Sequence, residues 1–233
     1  MLGTRRKRAR ELARADLIRF LDSYASLLAL LLANFLLLEI VDDARWGAVG
    51  STVLAAAALV VAISDPDTGH RVTRRHWTLI GACVALAPLA LLINSASLVG
   101  LTYLLPVGLL VTATLPITLQ RILRQRRVTY ETILGALCTY VLLGLLFAFA
   151  YLAVSDLSGP FFSQPGPHTQ SEYLYFSFVT LTTLGFGDLS PDVGLPQALT
   201  VLEALSGQIF LVTMVARLVT LWGRQSAESE SGN

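Results

Sequence analysis

The chain has 233 residues, 54% of them hydrophobic and only 14% charged, with a mean hydropathy of +0.64. A soluble globular domain carries about 25% charge, so the composition argues against a soluble enzyme and for an all-α polytopic membrane protein. The net charge of +1 says little about partners, and the two cysteines, Cys83 and Cys138, lie in apolar runs and read as small buried hydrophobes rather than a disulfide framework.

Residues 1–22 form a basic N-terminus, with Arg5, Arg6, Lys7, Arg8, Arg10, Arg14 and Arg19 against Glu11 and Asp16. It reads as a topology signal beside anionic headgroups rather than a nucleic-acid site. No cleavable signal peptide is expected, because the longer apolar stretch that follows continues into a multi-span chain. Residues 23–119 read as a four-span membrane domain, with spans over 23–40, 46–63, 77–93 and 98–119. Ala55 to Ala58 in the second span offer small side chains for close helix contact. The fourth span contains Pro106 and Pro116 and no charged residue. Residues 120–129 form a cytoplasmic basic linker with Arg121, Arg124, Arg126 and Arg127.

A pore domain is expected over residues 130–222. Its fifth span covers 130–154, and the polar Pro- and Gly-containing segment after it is a loop by composition. Residues 171–183, SEYLYFSFVTLTT, fit a helix of about 19 Å, long enough to enter a bilayer and too short to cross it. Ser171 is the expected N-cap, and Glu172 suits the positive end of the helix. The sixth span covers 195–222, and residues 223–233 are expected to be a short disordered cytoplasmic tail.

Charge tests the parity of this arrangement. With the N-terminus inside and six spans, 16 of the 17 Lys and Arg face the cytoplasm, and only Arg45 lies outside. A full crossing by residues 173–184 would turn Arg217 and the tail outward. The pattern therefore favours a re-entrant pore helix and loop between the fifth and sixth spans, with both termini cytoplasmic.

The loop reads Thr182-Thr183-Leu184-Gly185-Phe186-Gly187-Asp188. Alternating glycines permit backbone conformations that let successive carbonyls point the same way. Irregular backbone at membrane depth is tolerated where it lines an aqueous path, and carbonyl rings can replace the hydration shell of an ion. One chain supplies one strand of such a ring, so a homotetramer around a pore axis is the simplest closed arrangement.

The stretch TTLGFGD closely resembles the potassium-channel selectivity filter, usually TVGYG followed by Asp. The order of outer helix, pore helix, filter and inner helix over 130–222 is similar to that family. The resemblance implies that K+ is the permeant ion, bound at Thr183, Leu184, Gly185 and Phe186 with Gly187 at the mouth, and that no cofactor or catalytic residue is needed. Thr182 would end the pore helix, and Asp188 would anchor the outer end of the filter. Tyr175 and Phe176 stand where the family often has two tryptophans and are candidate filter supports. Leu184 and Phe186 depart from the commoner Val and Tyr.

In the sixth span, Gly207 lies 20 residues after Gly187. That position matches the family's gating-hinge glycine, and a helix-contact glycine is the equal alternative. Leu211, Met214 and Val215 are candidates for an inner gate, with Thr213 as another pore-facing candidate. Glu203 is an ionisable residue within a span; it reads as filter support from behind, bonding to pore-helix backbone, as a partly protonated carboxyl, or as an interfacial carboxylate. His168 reads as an ordinary loop residue. Six spans with a loop between the last two are also found in the voltage-gated subclass, but the fourth span here lacks its arginine ladder. The expectation is a passive potassium-selective channel without strong voltage gating, in the plasma membrane of a prokaryotic cell. Anionic lipids are expected at its basic segments. The alternatives are a nonselective cation channel of the same fold and a non-conducting scaffold or transporter.

Overall fold

The computed structural model describes residues 25–40, 44–63, 81, 115–124 and 129–231. The basic N-terminus, the 64–76 turn, nearly all of the expected third span and most of the fourth lie outside the described residues. The described chain is helical: α1 (Ala25–Ile40), α2 (Ala44–Ile63), α3 (Leu115–Arg124), α4 (Tyr130–Ser158), α5 (Gln170–Leu181) and α6 (Leu195–Ser231). Helix α3 runs unbroken through the boundary that the sequence suggests between the fourth span and the basic linker.

Helix α4 begins at a reciprocal threonine cap. Thr129 is extended at φ −122°, and its N–H donates to Thr132 Oγ1 at 3.2 Å. The helix ends at Gly159, whose φ of +112° few side-chain-bearing residues adopt. Helix α5 uses the same device. Its N-cap is Thr169, not Ser171, because the Thr169 N–H donates to Glu172 Oε2 at 2.7 Å in a capping box. His168 braces this cap, with Nδ1 3.3 Å from Glu172 Oε2 and its ring 4.8 Å from that of Phe162. At the other end, α5 stops at Leu181 with Thr182 as C-cap, so Thr183 is outside the helix expected over 171–183.

Among the described residues, helices α4 and α6 contain the two stretches long and apolar enough to cross a membrane, Thr132–Ser158 and Leu195–Gly223. Helix α5, with 12 residues, is about 18 Å long and falls short of that length. Helix α6 continues through Ser231, which corrects the expected disorder of the 223–233 tail as far as that residue. The segment 223–231 holds no proline, and extending an existing helix avoids the cost of nucleation.

The core is built around α4. Leu142, Leu145, Ala148, Phe149 and Tyr151 are fully enclosed, and α5 and α6 both pack against this helix. Toward the C-terminal end of α4, Tyr151, Phe161, Phe162, Tyr173 and Phe176 form one ring cluster, with Tyr151 and Phe161 centroids only 4.3 Å apart. The N-terminal helices also touch α5. Phe35 of α1 meets Phe178 edge-on at 5.3 Å, and Gly47 of α2 lies directly against the Gln170 side chain. Helix α6 differs from α4: 17% of its most apolar stretch is buried against 56% for α4, leaving a long apolar face uncovered within one chain.

Candidate functional site

The loop after α5 alternates in backbone hand. Thr183 has φ +60°, Gly185 +54° and Gly187 +79°, while Leu184 and Phe186 between them keep negative φ. Such alternation turns consecutive peptide planes to one side, so that carbonyl oxygens line up along the strand instead of alternating across it. Glycine supplies the left-handed conformation at two of the three positions without strain, and Thr183 adopts it despite its branched Cβ. All residues from Thr182 to Asp188 are exposed in the single chain.

The base of the loop is fixed by hydrogen bonds to the last turn of α5. The Thr183 N–H donates to the Thr180 carbonyl at 3.0 Å and the Leu184 N–H to the Val179 carbonyl at 2.9 Å. The Thr182 hydroxyl donates to the Phe178 carbonyl at 2.6 Å. The Leu181 carbonyl accepts from the Tyr140 hydroxyl of α4 at 3.0 Å. Gly207 of α6 abuts the same residue: a Cβ there would lie 2.7 Å from Leu181 Cδ1 and 2.9 Å from its carbonyl oxygen. This close approach gives Gly207 a packing reason to be glycine.

The two aromatic candidates separate. Tyr175 is exposed and stacks on Phe186 at 6.4 Å, with its hydroxyl reaching toward the Asp188 side chain. Phe176 turns the other way into the buried ring cluster, 5.7 Å from Tyr151 and 5.2 Å from Phe162. Adjacent helical residues point about 100° apart, so a consecutive pair divides between two faces.

The outer limb of the loop is strapped by the segment between α4 and α5. Gln164 Nε2 donates to the Asp188 carbonyl at 3.1 Å, and Gln164 Oε1 accepts from the Ser190 N–H at 3.1 Å. The Ser163 N–H donates to the Ser190 carbonyl at 2.9 Å, and the Asp192 N–H to the Phe161 carbonyl at 2.8 Å. These contacts surround an isolated antiparallel bridge between Phe162 and Pro191.

Glu203 is fully buried behind α5. Its Oε2 accepts from the Tyr151 hydroxyl of α4, and its Oε1 lies 2.5 Å from the Ser177 hydroxyl of α5. That hydroxyl also lies 2.8 Å from the Gly144 carbonyl. The interfacial reading of Glu203 does not fit this enclosure.

Further along α6, Leu211 and Val215 are exposed, but Met214 is buried and turned toward its own chain. Met214 therefore does not share a pore-facing surface with the other two candidates. The buried positions Glu203, Gly207, Met214 and Leu221 recur at four- and seven-residue spacing and define the face that packs inward. Thr213 is exposed and donates to the Ile209 carbonyl at 2.6 Å.

Sequence reasoning missed Gln164, Tyr151, Ser177, Tyr140 and Gly144. The first two belong to segments read only as loop and span, and polar residues scattered at long separation leave no local signal.

Two bilayer-length helices, Thr132–Ser158 and Leu195–Gly223, thus flank a short helix and a segment of alternating backbone hand. Residues 137–223 match the family model described as ion channel. Over 88 residues the chain is 34% identical to the inward rectifier potassium channel Kirbac3.1 of Paramagnetospirillum magnetotacticum, covering 38% of this chain and 28% of that one. Over 86 residues it is 35% identical to the two pore potassium channel c of Oryza sativa subsp. japonica, covering 34% of this chain and 19% of that one. This segment is thus similar to the ion-channel family, and both relatives it resembles are potassium channels by description. It spans less than a third of the length of either relative, and the matched family and both relatives are ion channels rather than enzymes.

Proposed function

We propose that this protein is a potassium-selective channel that conducts K+ passively along a four-fold axis formed by four copies of the chain. The observation that carries this reading is the alternating hand of Thr183, Gly185 and Gly187 in an exposed strand. Four such strands around an axis offer stacked carbonyl rings from Thr183, Leu184, Gly185 and Phe186, with Gly187 at the mouth. Each ring replaces water around a dehydrated cation.

In this reading α4 and α6 cross the membrane, α5 enters and returns on the outer side, and four further spans precede α4. The distribution of Lys and Arg supports both termini on the cytoplasmic side of a plasma membrane, with anionic lipids at the basic segments. The uncovered apolar face of α6 supports assembly around the axis. The uncharged fourth span leaves no gating charge to move through the field, so strong voltage gating is absent.

Purified protein in liposomes tests this directly. Potassium flux well above sodium flux is expected from tetramers. Equal permeability of the two ions supports the nonselective channel instead, and folded tetramers that pass neither ion support the scaffold.

A further inference from the structure

We propose that Glu203 holds a proton and works as a neutral hydrogen-bond hub that positions α5, and through it the filter, against α4 and α6. The proposal rests on the filter reading of the 182–188 loop for its functional consequence, though not for the protonation itself.

The helices packed around Glu203 bring it no counter-charge. Neither α4 nor residues 170–216 contains a Lys, Arg or His, and α1 has none either. A fully buried carboxylate without a cationic partner in an apolar helix packing is strongly disfavoured, and protonation relieves it.

The count of protons agrees. The Ser177 hydroxyl carries one hydrogen, yet its oxygen lies within hydrogen-bond distance of both the Gly144 carbonyl at 2.8 Å and Glu203 Oε1 at 2.5 Å. A carbonyl oxygen and an ionised carboxylate are both acceptors only, so one contact would lack a hydrogen. With Glu203 protonated, the arrangement closes. The Tyr151 O–H donates to Glu203 Oε2, the Glu203 carboxyl O–H donates to Ser177 Oγ, and the Ser177 O–H donates to the Gly144 carbonyl. Every contact then has one donor and one acceptor.

The hub joins three helices at one level: Tyr151 and Gly144 from α4, Ser177 from α5 and Glu203 from α6. One helical turn further along α6 lies Gly207, and one turn further along α5 lies Leu181, which Gly207 abuts. Glu203 and Gly207 thus fasten the same face of α6 to the last two turns of α5, which end at the filter. Glu203 is a positioning residue that acts on the filter through α5 and does not touch the ion.

Glutamine reproduces the proposed pattern atom for atom: its amide oxygen accepts from Tyr151 and its NH2 donates to Ser177. Glu203→Ala instead leaves the buried Tyr151 and Ser177 hydroxyls without this partner. The experiment combines infrared spectroscopy of the full chain with K+ and Na+ flux in liposomes at neutral pH. Wild type should show the C=O stretch of a protonated carboxyl that is absent from Glu203→Gln and displaced in Tyr151→Phe. Glu203→Gln should keep the wild-type K+/Na+ permeability ratio, whereas Glu203→Ala should lose about tenfold, as expected when buried hydroxyls lose their partner. No such band in wild type, or a Glu203→Gln variant as unselective as Glu203→Ala, overturns the proposal. Should Glu203→Ala fail to assemble, the infrared band and the Glu203→Gln flux decide alone. A wild type without potassium flux defeats the channel reading, and the infrared band still decides the proton.

Discussion

Tyr175 and Phe186 lie nearly parallel, with ring centroids 6.4 Å apart and an interplanar angle of 4°. The Tyr175 hydroxyl also reaches toward Asp188, so one side chain meets the loop both at its aromatic step and at its outer end. An aromatic pair of this kind contributes about 0.5–1.5 kcal/mol beyond its buried area. Tyr175→Ala should therefore lower the K+/Na+ permeability ratio by roughly threefold to tenfold. Tyr175→Phe keeps the stack and loses only the polar reach, so a smaller fall is expected. Equal effects of the two variants in a liposome flux assay would assign the support to the hydroxyl instead of the ring.

Gly185 tests the backbone argument. Its φ of +54° is left-handed, and a Cβ built there meets nothing within 4 Å in its own chain. The cost of Gly185→Ala within one chain is thus conformational, about 1 kcal/mol. In the proposed four-fold assembly the same Cβ would crowd the converging strands, and potassium flux should be lost while helix content by circular dichroism is kept. Undiminished flux would remove the 183–187 strand from the ion path.

Tyr140 holds the end of α5 by its hydroxyl bond to the Leu181 carbonyl and stacks on Phe210 of α6 at 6.0 Å. Tyr140→Phe deletes the first contact and preserves the second. The expected loss is about 1 kcal/mol of stability, read as a lower midpoint of thermal unfolding. A variant as stable as wild type would mean that water replaces the phenol at that carbonyl.

The outline of this pore unit was legible because its signals are local. Apolar runs of bilayer length mark α4 and α6, and the Gly-Phe-Gly spacing marks the strand between them. The caps were half legible: Thr169 and Glu172 have capping-box spacing, but Ser171 competes for the same role by residue type, and only backbone geometry separates them. The hub was legible only at Glu203, which stands out as an ionisable residue within a span. Its partners Tyr151 and Ser177 lie 26 residues or more from it along the chain, and each alone is an unremarked polar residue in an apolar segment. Met214 was misplaced for a related reason: apolar residues on a membrane helix suit protein, lipid and pore alike, so hydrophobicity does not fix its phase. Gly207 fits a hinge or a contact equally by sequence, and the Leu181 approach becomes visible only when α5 is in place.

That approach makes Gly207→Ala a prediction about packing. The added Cβ would sit 2.9 Å from a backbone oxygen, which cannot swing aside as a side-chain end can. The expected cost is about 1–3 kcal/mol, measured by thermal unfolding. Leu181→Ala in the same chain should recover only part of it, because the carbonyl remains. Full recovery would place the conflict on the Leu181 side chain alone.

The N-terminal helices can be tested through Phe178. Its ring is held between Gly144 of α4, where a Cβ would lie 2.6 Å from Cζ, and the Phe35 ring of α1, 5.3 Å away by centroid. Gly144→Ala should push Phe178 toward α1 and cost about 1–3 kcal/mol by overpacking. Phe35→Ala alone should cost stability as well, because it opens a void beside the same ring. Together the two changes should cost less than the sum of the singles, since the space vacated by Phe35 accepts the displaced Phe178. A coupling of about 0.5–3 kcal/mol in the double-mutant cycle is expected for residues that share a neighbour in this way. Strict additivity would mean that α1 does not bear on the pore helix through Phe178. A coupling of the expected sign, accompanied by a parallel change in K+/Na+ permeability, would tie the first span to the geometry of the filter without any charge moving across the membrane.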